Sequence, residues 1–526
     1  MALVLFGITA LVAYFIYRLT QKHPKLPGPK PVPILGNLND FPPDGVPEFH
    51  HWLAHKDLYG GISSVTVLGT TLVLIHDKKT AHELLDGHSN KTSGRPDMPM
   101  ANKLCGYENI VLCQSSSPTF HRYRKFLHRE LGTAVSAAQF RGIQEVEVNR
   151  QLMRALNEPE KWLQHFKTTA GATVLKMAYG YTVEPHEPDP LVSLSDRMMT
   201  EFSQAAVPMA WAVDVLPALR YLPDILPGAG FKKTARKWRK SIQNTAHIPY
   251  QFVRQQMATG AHQPSYVSKL IQQLEHENNG TLSRTDEHAV LWTAASLYGA
   301  ASDTVVISLT AFTAAMTISP AVQRKAQDEL DRVVGPDRLP TFDDRRNLPY
   351  INALVKETLR WWPIAPMGFP HTTTEDVEYN GMRIPKNATL LPAVWSFLHD
   401  PAVYPDPSSF NPDRFLPPRN EPDPAGEIFG YGRRICPGRF FADAGLYLNI
   451  ARSLAVFNIR KAVGEDGVEI EVDVRPTPGI LTYPTAFGFR VEPRGEKYVE
   501  LIRGVERGIG GVEGDAHLLE GLEGCG

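Results

Sequence analysis

Residues 1–17 carry no charged side chain and are almost wholly apolar, and Arg18, Lys22, His23 and Lys25 follow at once. A basic cluster after the apolar run, with no small-residue cleavage pattern, reads as a retained anchor rather than a removed signal peptide. Its length is at the short limit for a spanning helix, and the flanking charge predicts that the rest of the chain stays in the cytosol. Residues 26–33 alternate proline with other residues, which forbids helix and predicts a stiff extended spacer. Beyond it, residues 47–58 have helical apolar spacing, while 62–68 and 71–75 alternate as two strands around Gly69. A basic amphipathic helix is predicted over 120–131, and long helices around 135–156 and 162–179. Residues 285–317 form the longest apolar helical pattern after the N-terminal run, and its centre, Gly299-Ala300-Ala301, is made of small residues that permit close approach. Between 207 and 230, prolines interrupt Trp211, Leu216, Leu219, Tyr221, Leu222, Ile225 and Leu226. Such a segment suits a lid over an apolar site or a patch that dips into lipid, with buried core as the plain alternative.

With 526 residues, 43% hydrophobic and 21% charged, the chain can bury a large core. A formal net charge of −1 gives no overall attraction for nucleic acid, so any charged docking is local. The four cysteines, Cys105, Cys113, Cys436 and Cys525, include no Cys-x-x-Cys pair, which argues against a disulfide scaffold or structural zinc. From Gly504 onward there are 8 glycines in 23 residues and no sustained period, which predicts a disordered tail.

Candidate chemistry gathers at 429–438, read Phe-Gly-Tyr-Gly-Arg-Arg-Ile-Cys-Pro-Gly. An isolated cysteine is usually a small buried hydrophobe. Here Gly432 and Gly438 remove side chains on both sides of Cys436, so that backbone can pass close to a large flat ligand. Arg434 and the amides of a helix predicted after Pro437 would hold the sulfur ionised, which makes Cys436 a candidate metal ligand. In the long apolar helix, Asp303 and Thr304 follow the small residues; taken alone, Thr304 would simply bond the carbonyl one turn back. Glu357 and Arg360 stand three apart on a helix, where an exposed pair contributes only about 0.2–0.5 kcal/mol.

Phe429, Gly432, Arg434, Cys436 and Gly438 resemble the haem-binding signature of the cytochrome P-450 family, and the separated motifs agree with it in order over roughly residues 27–500. The resemblance is to membrane-anchored microsomal enzymes, most like fungal monooxygenases of secondary metabolism or xenobiotic oxidation. It implies a mainly α fold with small β-sheets, a triangular helical prism with haem b between the long helix and the cysteine loop. The expected organisation is an anchor over 1–20, a hinge over 21–44, a haem-thiolate domain over 45–503 and a tail over 504–526. By resemblance Cys436 ligates iron, Thr304 and Asp303 deliver protons, and Arg124 and His371 join the haem contacts. Glu357, Arg360 and Arg414 form a buried cluster, while Ala300, Met367, Phe369 and Leu481 line the substrate pocket. Phe120 stands where the family has tryptophan and Ala301 where it commonly has glycine; phenylalanine has no N–H to offer a propionate.

The implied activity is insertion of one oxygen atom from O2 into a lipophilic small molecule at the cytosolic face of the endoplasmic reticulum membrane. No nicotinamide or flavin fingerprint occurs, so NADPH-cytochrome P-450 reductase, with cytochrome b5 as a possible second donor, supplies the electrons. Its docking site is expected near Arg122, Lys125, Arg129, Arg433 and Arg439. A reductase-independent isomerase or dehydratase, and a non-catalytic haem-binding protein, are the competing readings.

Overall fold

The computed structural model describes residues 25–43, 45–184, 188–509 and 513–522. The expected anchor therefore lies outside the described residues. The helices that matter for the site are α1 (Pro118–Leu131), α2 (Arg141–Asn157), α3 (Trp162–Tyr179), α4 (Pro190–Ala205), α5 (Gly230–Thr259), α6 (Arg284–Ile318), α7 (Pro349–Trp361), α8 (Arg439–Val456) and α9 (Glu496–Ile509). Helices α1, α3 and α6 sit close to where their apolar spacing put them. The helical pattern expected over 135–156 is broken, into Ala134–Ala138 and α2, at Gln139 and Phe140.

Helix α6 starts where Ser283 accepts the Asp286 N–H, with Asp286 and Glu287 in its positive first turn, and it stops at Ser319 ahead of Pro320. It runs through the middle of the fold against α3, α4, α5 and α8. Among the described residues it alone is long and apolar enough to cross a membrane, but 72% of its most apolar stretch is buried inside the protein. Its apolarity on all sides is that of a core helix. The small sheet has the order β1 (Ile62–Val67), β2 (Thr70–Ile75), β4 (Thr389–Pro392) and β3 (His371–Thr372). The first two form the expected hairpin, and β2 then pairs parallel with β4, a contact between segments some three hundred residues apart.

Two chain ends differ from expectation. The proline-rich segment is laid along β1 instead of standing free: Ser64 donates to the Pro27 carbonyl at 2.7 Å, and Asn37 to that of Thr66 at 2.7 Å. A Cβ at Gly28 would lie 2.0 Å from the Ser64 oxygen, so only glycine lets the arm approach. At the other end, α9 crosses the boundary expected at 503 and buries Tyr498 and Ile502 against α2. Further on, Asp515 and Thr182 exchange backbone and side-chain bonds at 2.9 and 2.7 Å, and Leu518, Leu519 and Leu522 pack on the main core. The described part of the tail is therefore docked, because its leucines find an apolar surface that glycine content does not reveal.

Candidate active site

One large internal cavity, with about 290 Å³ open to the centres of water molecules, lies between α6 and the 429–438 loop. Ala300, Ala301 and Thr304 of α6 line it, and so do Phe429, Cys436, Pro437 and Gly438 of the loop. Met198, Met199, Phe202, Leu297, Phe369 and Leu481 add an apolar lining. The structure thus brings Cys436, Thr304, Ala300, Phe369 and Leu481 to one space. Met367 does not join them; it is buried in the core of the small sheet, because the chain reverses at Gly368, whose φ is +58°.

Cys436 is held by its N–H, which donates to the Phe429 carbonyl at 2.7 Å, and α8 begins three residues later at Arg439. Burial pushes its thiol up, while the Gly438 N–H, Arg124 and Arg439 pull it down. Burial wins, so the loop by itself does not keep the sulfur ionised as the sequence suggested; a metal would have to do so. The two glycines serve different ends. A Cβ on Gly438 would have only the Cys436 sulfur nearby, at 3.9 Å, leaving the space before it clear. Gly432 does not line the cavity: at φ +51° its Cβ would sit 2.5 Å from the Leu85 carbonyl oxygen, so its close approach is to protein, not to a ligand.

Three guanidiniums line the same cavity. Arg124 donates to the Ile435 carbonyl at 2.8 Å, and Arg434 to that of Ser93 at 2.8 and 2.6 Å. Arg95, which the sequence reading missed, donates to the carbonyls of Leu112 at 2.7 Å and Pro370 at 2.5 Å. Among the described residues no carboxylate bonds any of the three, and Nη1 of Arg434 is buried without a partner. Burial, with Arg95 and Arg124 adding to it, pushes the Arg434 guanidinium down to about 8. Uncompensated buried cations mark a site for an anion. The Phe120 side chain has no hydrogen bond to give, but its ring lies against Arg434, whose guanidinium carbon is 3.8 Å from the ring centroid.

A model of the cytochrome P-450 family matches residues 26–482. The chain belongs to the cytochrome P-450 family. It is 49% identical over 519 residues to a cytochrome P-450 monooxygenase of Gibberella zeae, covering 98% of each chain. It is 46% identical over 506 residues to a multifunctional cytochrome P-450 monooxygenase of Aspergillus fumigatus, covering 95% of this chain and 94% of that one. It is also 38% identical over 486 residues to O-methylsterigmatocystin oxidoreductase of Aspergillus flavus, covering 92% and 90%. It is accordingly a haem-thiolate monooxygenase, and its cofactor is haem b.

The cavity fits this cofactor of the cytochrome P-450 enzymes: one sulfur faces an apolar slot, and Arg95, Arg124 and Arg434 stand ready for two carboxylates. His371 is buried beside them, with Nδ1 3.0 Å from the Thr92 carbonyl. A carbonyl only accepts, so Nδ1 carries the proton and Nε2 is the bare nitrogen. Burial and the nearby Arg95 push His371 down to about 3, so it is neutral, and it could donate to a propionate only after gaining a second proton.

Thr304 lines the cavity and its hydroxyl donates to the Ala300 carbonyl at 2.9 Å, as its helical position alone predicts. Asp303 is 4% exposed and lies outside that lining, with its carboxylate bonded by the Tyr483 hydroxyl. Glu357, Arg360 and Arg414 meet with no side-chain exposure. Glu357 accepts from Arg360 at 2.7 and 2.9 Å, Arg414 at 3.0 Å and the Asn411 N–H at 2.8 Å. Glu421, unforeseen from the sequence, adds a second carboxylate 2.7 Å from Arg414. Arg95 reaches the site only through the pairing of distant loops, whereas Glu421 lies seven residues from Arg414 but in no recognised motif.

Proposed function

We propose that this chain hydroxylates or otherwise oxygenates a lipophilic secondary metabolite, using electrons from a separate NADPH-dependent reductase. The observation that carries this reading is the placement of Cys436 and Thr304 in the lining of one largely apolar cavity. Cys436 would ligate the iron, with Phe429 and Gly438 shaping the slot, and Arg95, Arg124 and Arg434 would hold the propionates. Haem, when bound, supplies the reductive activation of dioxygen, and each turnover uses two electrons and two protons to give one oxygenated product and one water. The protein's own part is to exclude bulk water, hold the substrate by shape and move protons.

Ala300, Phe369 and Leu481, with Met198 and Phe202, offer apolar contact and flexible thioether surface rather than charged anchors, which supports a lipophilic substrate. The monooxygenase relatives, including one named for oxidation of O-methylsterigmatocystin, support a secondary metabolite. Thr304 would place water beside the reacting oxygen and Asp303 would feed protons towards it. Glu357, Arg360 and Arg414 act in folding and haem retention.

For the reductase, and for cytochrome b5 if it also donates, Lys125, Arg129 and Arg433 are exposed, with Arg439 partly so. Arg122 is withdrawn from the expected docking set, because Asp286 at the start of α6 pairs with it. Attachment to the endoplasmic reticulum membrane fits the N-terminal sequence and the exposed Tyr221, at 74%, and Ile225, at 91%, between α4 and α5; Trp211 of that segment instead packs against Trp238.

The deciding experiment is the carbon monoxide difference spectrum of the reduced protein beside Cys436→Ala, followed by NADPH consumption and product formation with reductase. A red-shifted thiolate band present only in the parent, with product that depends on reductase, is expected. Turnover without reductase would support the isomerase or dehydratase reading instead, and a band typical of histidine ligation would support a haem-binding protein without this chemistry.

A further inference from the structure

Asp303 is buried on α6 next to Thr304, yet its carboxylate is not part of the cavity wall. Three elements enclose it. From α3 and α4 come Lys167 and Asp196, which pair with each other at 2.8 Å and are the charged groups that act on it; from the 476–484 loop comes Tyr483, whose hydroxyl donates to Oδ2. That loop is well pinned. Thr477 and Tyr483 exchange bonds at 3.0 Å, Thr482 donates to the Ile364 carbonyl at 2.9 Å, and Leu481 lines the cavity two residues before Tyr483. Lys167 and Asp196 are 35% and 41% exposed and do not line the cavity, so the acid has solvent-reachable charged groups near it that are not part of the cavity wall.

We infer that Tyr483 is a positioning residue for proton delivery, holding the Asp303 carboxylate in a withdrawn place from which it must be released to serve the Thr304 side of the cavity. The inference rests on the proposed role of Asp303. The proton is taken up by the carboxylate on the Lys167 and Asp196 side. It leaves when the Tyr483 bond opens and the side chain turns about its own rotamers towards the Thr304 hydroxyl. The net transfer is one proton per passage, with the carboxylate restored. Burial pushes Asp303 up to about 6, with Asp196 adding to it and Tyr483 and Lys167 opposing, so the acid can bind and give up protons near neutral pH. Tyr483 is not catalytic in the sense of touching the reacting atoms. Its hydroxyl stabilises the ionised, withdrawn form, and its removal should both raise the carboxyl's proton affinity and leave its position undefined.

The test uses full-length holoprotein, reduced for the carbon monoxide spectra and ferric for the infrared titration, with Tyr483→Phe, which removes one oxygen atom, and Asp303→Asn, which removes the acid. Carbon monoxide spectra and far-ultraviolet dichroism are expected to match the parent, establishing that both variants fold and bind haem. The carboxyl stretching band that Asp303→Asn abolishes is then followed by infrared spectroscopy against pH, without turnover. One hydrogen bond to a carboxylate changes its protonation equilibrium by about tenfold, so the midpoint in Tyr483→Phe is expected about one pH unit above the parent. With reductase, peroxide released per NADPH is expected to rise in both variants. An unmoved infrared midpoint, or Tyr483→Phe coupling equal to the parent's while Asp303→Asn uncouples, overturns the inference about Tyr483. Full coupling in Asp303→Asn instead overturns the role of Asp303, and the infrared arm still decides whether Tyr483 holds the carboxylate.

Discussion

Replacing Glu357 by glutamine tests what the buried charge cluster contributes to folding, because it preserves volume and changes only charge and one hydrogen-bonding group. Oε1 of Glu357 accepts from Arg360 Nη2, Arg414 Nε and the Asn411 N–H, whereas Oε2 accepts from Arg360 Nε alone. Glutamine therefore keeps its oxygen at the Oε1 position and turns its NH2 towards Arg360 Nε, bringing two donors face to face where the native pair is 2.7 Å apart. Both guanidiniums retain other acceptors: Arg360 has the Leu398 carbonyl at 2.9 Å, and Arg414 has Glu421 at 2.7 Å. The loss is thus one charge and one good bond in a site with no exposure. Breaking a buried pair of this kind costs about 3–5 kcal/mol. Against a total stability of about 5–15 kcal/mol, that is enough to lower the yield of folded, haem-loaded protein. Urea unfolding followed by far-ultraviolet dichroism, with haem content measured in parallel, should show the loss. Glu421→Gln should lose less, because Arg414 keeps Glu357. A Glu357→Gln variant within about 0.5 kcal/mol of the parent would refute the reasoning, since that is the range of an ordinary surface substitution.

Gly432→Ala should destabilise the cysteine loop by about 1–3 kcal/mol through its left-handed backbone alone, and more through the Leu85 contact; urea unfolding and the yield of the thiolate carbon monoxide band measure it. Arg95→Leu should speed haem loss about tenfold, as expected for one charge-assisted bond, read by haem transfer to apomyoglobin. His82 sits between Glu427 at 3.0 Å and Asp86 at 2.6 Å, and Asp86 in turn accepts the Gly432 N–H. Burial lowers the His82 pKa, but the bonds to Glu427 and Asp86 outweigh it and the net shift is upward. A raised folded-state value means stabilisation that is complete below the ordinary histidine value of 6.5 and is lost as pH rises through the folded value. The urea midpoint of the parent should therefore fall towards that of His82→Gln as pH is raised above about 6.5, and a constant gap between the two would exclude the linkage.

The local parts of this fold were legible because they are set by neighbours in sequence. The β-hairpin around Gly69 and α6 both follow from periodicity, and Ser117 and Ser283 are ordinary caps at helix starts. The tail was misread for the same reason: glycine count speaks of backbone freedom, whereas Leu518, Leu519 and Leu522 are ordered by a surface that other segments build.

The site shows the same division. Resemblance to short family motifs carried Cys436, Glu357 and Thr304, because the constraints of each motif lie within a few residues. What each residue faces was decided by contacts between distant segments. The turn at Gly368 took Met367 into the sheet core, Leu85 claimed the space beside Gly432, and Asp286 neutralised Arg122. The convergence of Arg95, Arg124 and Arg434, like the grip of Tyr483 on Asp303, joins residues far apart in the chain. Residue order determined which chemical groups are present and which helices carry them. Only tertiary packing decided which charges share a buried space, because burial and the distance between charges are properties of the folded chain.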